Sequence, residues 1–334
     1  MKINDDEKFI KNVEHLINPE EVSTLLFYQT FKKLLPRNVF KKILHKTSQK
    51  TPYIGFVIEP YSLFLFFRLR DIEKAKSLLP DRYKLAKTRI FVDDEPEYYF
   101  GIGVFNSRAS TFWGTRLESY LIAEDTKTGL LSFIFIDILS NTIIALPYEG
   151  IADPNSKNAI FTNSSRGDVF VDIKEDKSNR EISVKGNISA GKLRDLDQSL
   201  WLTGNTSIAH SRDLSDNDDN PFAVIFDPSE VERALDIPIE NISVRNNTLF
   251  PDMAEREPSK AVCFPFAQHY MADSPGCRTY IKNRDNLIDT YNSLADKKSI
   301  RTFSPKIINR LFFLGISLTS IISIILFILL MRTF

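Results

Sequence analysis

Histidine and cysteine, the side chains that most readily do chemistry at neutral pH, are sparse in this chain. His15, His45, His210 and His269 are scattered, and no two have metal-ligand spacing, so no metal site is expected. Cys263 and Cys277 are too few for a disulfide framework and read as free thiols in a reducing compartment. The stretch "FPFAQHY" can turn His269 inward near Cys263, but spacing alone does not make a Cys-His dyad. "SDNDDN" at 215–220 lacks the later Gly and Glu of a calcium loop and reads as a solvated acidic loop. "GIG" at 101–103 lacks the third glycine and following helix of a dinucleotide fingerprint. With no phosphate loop, hydrolase elbow or zinc motif either, no cofactor is expected. What remains is a corner, "IIALPYEGIA" at 143–152, where an apolar run climbs into a Leu-Pro turn and Tyr148-Glu149 precede Gly150. It reads as a reactive site, a pocket wall or only a turn, and the residues alone leave all three open.

The elements that must position this corner are mostly strands. From Tyr53 onward, "YIGFVIEP", "SLFLFFRLR", "RIFVDD", "EYYFGIGVF", "RLESYLIAE" and "LLSFIFIDI" are short β-branched and aromatic runs separated by turn residues. After the corner come "NAIFTN", "DVFVDI" and "EISVKGNIS", the last two joined by the polar turn "KEDKSNR". "DIEKAKSLLP" reads as a helix ended by proline, and "KLRDLDQSLWLTG" (192–204) as a helix stopped at Gly204. Residues 5–48 read as helices, with Asn18-Pro19-Glu20-Glu21 opening one and Pro36 breaking it. The expected class is α+β, mainly β. The expected divisions are an N-terminal basic helical segment (1–50), a β-rich domain (51–290), a basic linker (291–310) and an apolar helix (311–331).

The order of features resembles a known family. "FLFFRLRD", a helix ending in "LLP", a Trp-Gly before "RLESYLI", the "SFIFID" strand and then "ALPYEGI" follow one another as in the acetoacetate decarboxylase superfamily, and within it the YqjF-like branch. The resemblance covers roughly residues 55–280. It implies a curled antiparallel β-barrel or cone with peripheral helices, enclosing a small-molecule cavity. The family's decarboxylases attack a keto acid with a lysine whose pKa is lowered by a neighbouring cation and by desolvation. Their pattern places two lysines after the proline of the turn, where this chain has Tyr148 and Glu149 after Pro147. Tyrosine forms no imine, and Glu149 would favour a charged ammonium nearby, so the Schiff-base mechanism is not expected at this corner. The resemblance further implies Arg68 (or Arg70, one slip along) as a pocket arginine, Glu118 as a pocket glutamate, and Tyr148 as part of the wall. Such an arginine would hold a carboxylate in a bidentate fork.

Two further stretches point to a membrane. Leu311–Met331 carries no charge over 21 residues, a length of roughly 31 Å as a helix, close to a bilayer core. Lys297, Lys298, Arg301, Lys306 and Arg310 precede it, which predicts a single-pass C-terminal anchor with the bulk of the chain cytoplasmic. Residues 31–50 hold seven Lys/Arg and no acid, with apolar residues at helical spacing, and can lie on an anionic membrane surface or pack on the main domain. Without a stacking platform or reader fold, this basic run does not predict nucleic acid as a partner, and a formal net charge of zero favours no partner class. The expected function is a membrane-anchored binding domain for a small apolar carboxylate or lipid-like ligand, with Arg68, Glu118 and Tyr148 in the pocket. The alternative is a lyase-like enzyme on a keto acid, using Glu118, Tyr148 or Glu149 as acid or base, or a lysine from another strand such as Lys174 or Lys185.

Overall fold

The structure, a computed structural model, describes residues 3–17, 53–109, 112–142, 144–146, 150–214, 223–273, 281, 283–295 and 306–333. The basic run of 31–50, Pro147-Tyr148-Glu149, the acidic loop of 215–220 and Cys277 lie outside the described residues.

Helix α1 (Ile3–Leu16) precedes β1 (Tyr53–Ile58) and β2 (Ser62–Arg68); α2 (Ile72–Ser77) and β3 (Tyr83–Leu85) follow. The long central strands are β4 (Tyr99–Ala109), β5 (Trp113–Asp125) and β6 (Leu131–Ser140). Next come the short β7 (Ile144–Leu146) and β8 (Gly150–Ala152), then β9 (Ile160–Asn163), β10 (Asp168–Lys174), β11 (Glu181–Asn187) and β12 (Lys192–Asp195). Helix α3 (Gln198–Thr206) separates β12 from β13 (Ala209–His210). The chain continues through β14 (Val224–Ile225), β15 (Arg233–Asp236), β16 (Ile242–Asn247), β17 (Lys260–Phe264) and β18 (Gln268–Asp273) to α4 (Arg284–Ala295) and α5 (Lys306–Thr333). The class is therefore α+β, mainly β, as the residues predict. Two expected elements differ. Residues 192–195 pair with β15 as a strand, and the helix starts only at its cap, Asp197, which accepts from Ser199 N at 2.9 Å. Gly204 lies inside that helix, where a Cβ would sit 2.7 Å from the Phe133 ring, so it is a packing glycine and not a stop. "RIFVDD" forms no strand; Ile90 and Phe91 are buried in an irregular segment bridged at Phe91–Leu196.

Twelve strands form one sheet, antiparallel except where β13 runs parallel to β6. Its curl comes from a bend. β1 and β2 lie end to end along the same edge of β4, with Phe56 opposite Ala109 and Leu63 opposite Val104. Between them Tyr61 takes a left-handed φ of 71°, a conformation that costs a bulky residue energy and persists only where the surroundings fix it. β18 and β17 repeat the bend one strand further out, pairing with β1 and β2 respectively. The resulting sheet is curled, as the expected barrel or cone requires, but is not closed into a barrel among the described residues. Among the described residues, no ladder joins the β12 side to β13. Helix α3, which links those two strands in the chain, packs Trp201 inward instead, its Nε1 donating to Ile90 O at 3.0 Å.

Burial follows from these layers. β2 is buried on both faces, and its "SLFLFFR" is accordingly a nearly unbroken apolar run. Leu63, Leu65 and Phe67 face an outer core completed by a second sheet, β16-β11-β10-β9, whose Val169, Val171 and Ile173 alternate with exposed residues. Phe66, Phe105, Tyr120, Phe133 and Phe135 join the inner core around Trp201. Helix α1 covers β1, Gly55 lying directly against Leu16, and Phe9 meets Tyr291 of α4 with ring centroids 4.3 Å apart. α5 is long and apolar enough to cross a membrane, and its side chains from Phe313 to Met331 are exposed all round. Thr319 donates back to Gly315 O at 2.9 Å, so its hydroxyl is satisfied within the helix.

The far end of β5 is locked by a buried ion pair. Arg82 donates through Nε to Asp125 Oδ1 at 2.6 Å and through Nη2 to Oδ2 at 2.5 Å. Burial would raise the Asp125 pKa; the Arg82 guanidinium, the Lys127 N–H and the Thr128 hydroxyl outweigh it and hold it below the ordinary 3.8. Its stabilising share is therefore complete above that value and lost as pH falls below it. Asp125→Ala should cost about 3–5 kcal/mol in urea denaturation at neutral pH, because Arg82 would be left buried alone. The gap between variant and native protein should narrow on acidification below about pH 4.

Candidate functional site

The pleat of β5 turns Arg116, Glu118 and Tyr120 to one face of the sheet and Leu117, Ser119 and Leu121 to the other. The register brings Glu118 opposite Gly103 and Ile138, Arg116 opposite Phe105 and Ser140, and Tyr120 opposite Gly101 and Phe135. All three side chains are thus on the inner face. Arg116 Nη2 lies 3.0 Å from Glu118 Oε1, and the Tyr120 hydroxyl donates to Glu118 Oε2. The phenol stays protonated: burial raises its pKa well above the ordinary value, and the Glu118 charge adds to this. The Arg116 guanidinium lies over the Phe112 ring, 4.8 Å from its centroid, and its Nε–H has no acceptor among the described residues.

The two faces of β5 are packed differently. Leu117 and Leu121 on the outer face are 0% exposed, as are Ile102 and Val104 beside them. On the inner face Arg116, Glu118, Tyr120 and Phe135 each keep 8% and Ile138 7%. The polar line therefore keeps slight contact with solvent. The glycines of "EYYFGIGVF" have a structural part here. A Cβ on Gly103 would come within 2.7 Å of the Phe64 ring, so glycine lets that ring lie across β4 beside Glu118. His210 stacks on Phe135 with centroids 5.4 Å apart, and Phe135 lies 4.9 Å from the Tyr120 ring. Tyr270 of β18, in the same inner core, is also held protonated by burial.

Of the residues predicted from sequence, Glu118 alone lies on this line. Arg68 ends β2 opposite Tyr99 and is exposed; Glu118 lies level with Phe64, four residues back along β2, or about 13 Å. Arg70 is exposed too, donating to Pro251 O at 3.4 Å. The arginine paired with Glu118 is Arg116, and the signal for it was present: in "RLESYLI" the period of two puts Arg116, Glu118 and Tyr120 on one face. Tyr148 and Glu149 lie outside the described residues; the strands either side of them pair, Leu146 opposite Gly150. Lys174 and Lys185 are on the exposed face of the second sheet, one 3.5 Å from Glu181 and the other over the Phe170 ring. Neither points to the inner core.

His269 and Cys263 do not form a dyad. His269 Nδ1 is 2.9 Å from Glu230 Oε1, and its backbone N–H donates to Oε2 at 2.7 Å. Burial raises the Glu230 pKa, with His269 opposing that shift. Cys263 belongs to the outer core. Among the described residues, no group of three or more His, Cys, Asp or Glu side chains is placed to hold a metal ion.

The fold is that of a mainly β protein with one sheet curled around an aromatic interior and a line of buried polar groups on its inner wall. No protein-family profile and no curated protein matches the chain. A solved structure similar to it is the acetoacetate decarboxylase of Legionella pneumophila, 10% identical, with a TM-score of 0.39, over 69% of this chain and 88% of that one. A likeness so slight carries no conclusion about family or activity.

Burial drives the Cys263 thiol up to about 12, so almost no thiolate forms at neutral pH. In a Cys277→Ser background, the folded protein should take up no maleimide label, and should take up one equivalent after denaturation. Rapid labelling of the folded form would place Cys263 at an accessible site instead.

Proposed function

We propose that this chain is a membrane-tethered binding domain whose curled sheet holds a small, largely apolar molecule by an oxygen-bearing head group. The observation that carries the reading is the Arg116–Glu118–Tyr120 line, buried on the inner face of β5 among aromatic side chains. A buried ion pair contributes little to stability compared with apolar residues of the same size. A pair placed in an aromatic interior, with one guanidinium N–H lacking an acceptor, is suited to orienting a ligand. The superfamily resemblance agrees with a small-molecule pocket, and the Tyr148-Glu149 replacement at the turn agrees with binding without a Schiff base.

Helix α5 supports the tether. It is apolar on every side, and basic residues including Arg310 precede the uncharged run. In this reading the body of the chain lies on the cytoplasmic side.

Each half has its own test. The full chain in detergent should melt higher with apolar carboxylates or esters, by about 2.7 kcal/mol of stabilisation at a hundredfold excess over Kd. The shift should vanish in the double variant Arg116→Met/Glu118→Gln, which removes both charges together and leaves neither buried alone. A shift that survives there would locate the ligand elsewhere. Borohydride should trap no lysine adduct with apolar ketones, and an adduct would favour the enzyme reading. Membranes washed in alkaline carbonate should retain the intact chain and lose one lacking 306–333; retention of the shortened form would sink the tether.

A further inference from the structure

Resting on the site just proposed, we infer that it takes its ligand's head group uncharged: a neutral carbonyl (ketone, ester or amide) or a carboxylic acid that binds with its proton. The inference comes from counting charges and free donors along the inner wall. The Arg116 charge is already balanced by Glu118 at 3.0 Å, and the Tyr120 proton is committed to the same carboxyl group. An entering carboxylate would therefore meet a site of zero net charge, beside a resident carboxylate, in surroundings of low dielectric. Desolvating a charge there without a new counter-ion is costly, whereas a carbonyl oxygen accepts a hydrogen bond at little cost.

The remaining groups on this face agree. The Arg116 Nε–H is one donor without an acceptor, and it matches one carbonyl oxygen. Ser62, Ser107 and Gln268 are buried on the same face by register, and their side-chain oxygens have no partner among the described residues. They and Tyr270 are uncharged polar groups. The charged groups that also face inward are already paired. Lys260, opposite Phe66, lies 2.7 Å from Asp94, which also accepts from Arg194 at 3.2 Å. Arg68 is exposed at the strand end. Among the described lysines and arginines, none is left unbalanced on this wall for a carboxylate; the buried His210, stacked on Phe135, is the other titratable group that faces it.

The test compares a ketone, a methyl ester and a carboxylate of matched alkyl chain on the full-length protein in detergent, by calorimetry between about pH 5 and pH 8. The ketone and ester should bind with a Kd that does not change with pH. Carboxylate binding should weaken about tenfold per pH unit once pH exceeds the ligand's own pKa of about 4–5, because a proton is taken up with it. Tighter binding of the carboxylate than the ketone at the alkaline end would overturn the inference. Glu118→Gln supplies an independent arm. Freeing the Arg116 charge should shift preference toward the carboxylate by at least about tenfold at the alkaline end, and an unchanged preference counts against the role assigned to Glu118. If Glu118→Gln does not fold, the pH dependence of the native protein still decides. Binding of none of the three ligands, or binding that persists in Arg116→Met/Glu118→Gln, would defeat the underlying site and not only its charge selectivity.

Discussion

The pleat of β5 admits one arrangement. Its odd residues Leu117 and Leu121 are sealed into the outer core, so its even residues Arg116, Glu118 and Tyr120 must face inward. A slip of one residue would exchange the two sets, exposing apolar side chains to the inner space and burying an arginine and a glutamate between two sheets. The register with β4 and β6 prevents that slip along almost the whole strand. The single irregularity, between Ser119 and Tyr120 against β6, lies beside the polar line, where bulges commonly re-aim side chains.

The rest of the architecture protects this line without sealing it. The bend at Glu59-Pro60-Tyr61, repeated between β17 and β18, folds the sheet over so that Tyr270 and Tyr120 share one inner core. The sheet does not close on itself by hydrogen bonds among the described residues; α3 and Trp201 occupy the gap between its edges. A helix in a seam can pack an aromatic ring into the interior, as Trp201 does. Ion pairs tie the periphery together: Arg82–Asp125 at the end of β5, Arg180–Asp137 between β11's hairpin and β6, and Arg108–Glu14 between β4 and α1. Burial raises the Asp137 pKa while the Arg180 charge opposes it, as expected for a carboxylate enclosed between the two sheets.

The apolar helix α5 belongs to a different solvent problem from the body. Inside the body, apolar runs alternate or are buried on both faces because sheets cover them; in α5 the apolar residues cover every side. That distribution suits a lipid surround, where backbone groups are satisfied within the helix and side chains need no partner.

Much of this was legible in the chain itself. The β-rich class, the hairpin at 174–180, helix α2 and the apolar helix follow from local periodicity and turn chemistry, which tertiary contacts reinforce. Glu118 is singled out only through the family resemblance, whereas the alternation in "RLESYLI" already puts Arg116 and Tyr120 on its face. What the sequence could not decide was which distant groups meet that face. Arg68 and Glu118 are both polar residues on apolar strands either side of β4, and only the strand register, set by pairing across β4, separates them. The same holds for the open seam. Whether a curled sheet closes depends on bend angles and on how a helix packs between its edges, both properties of the whole assembly, and no local run of residues records them.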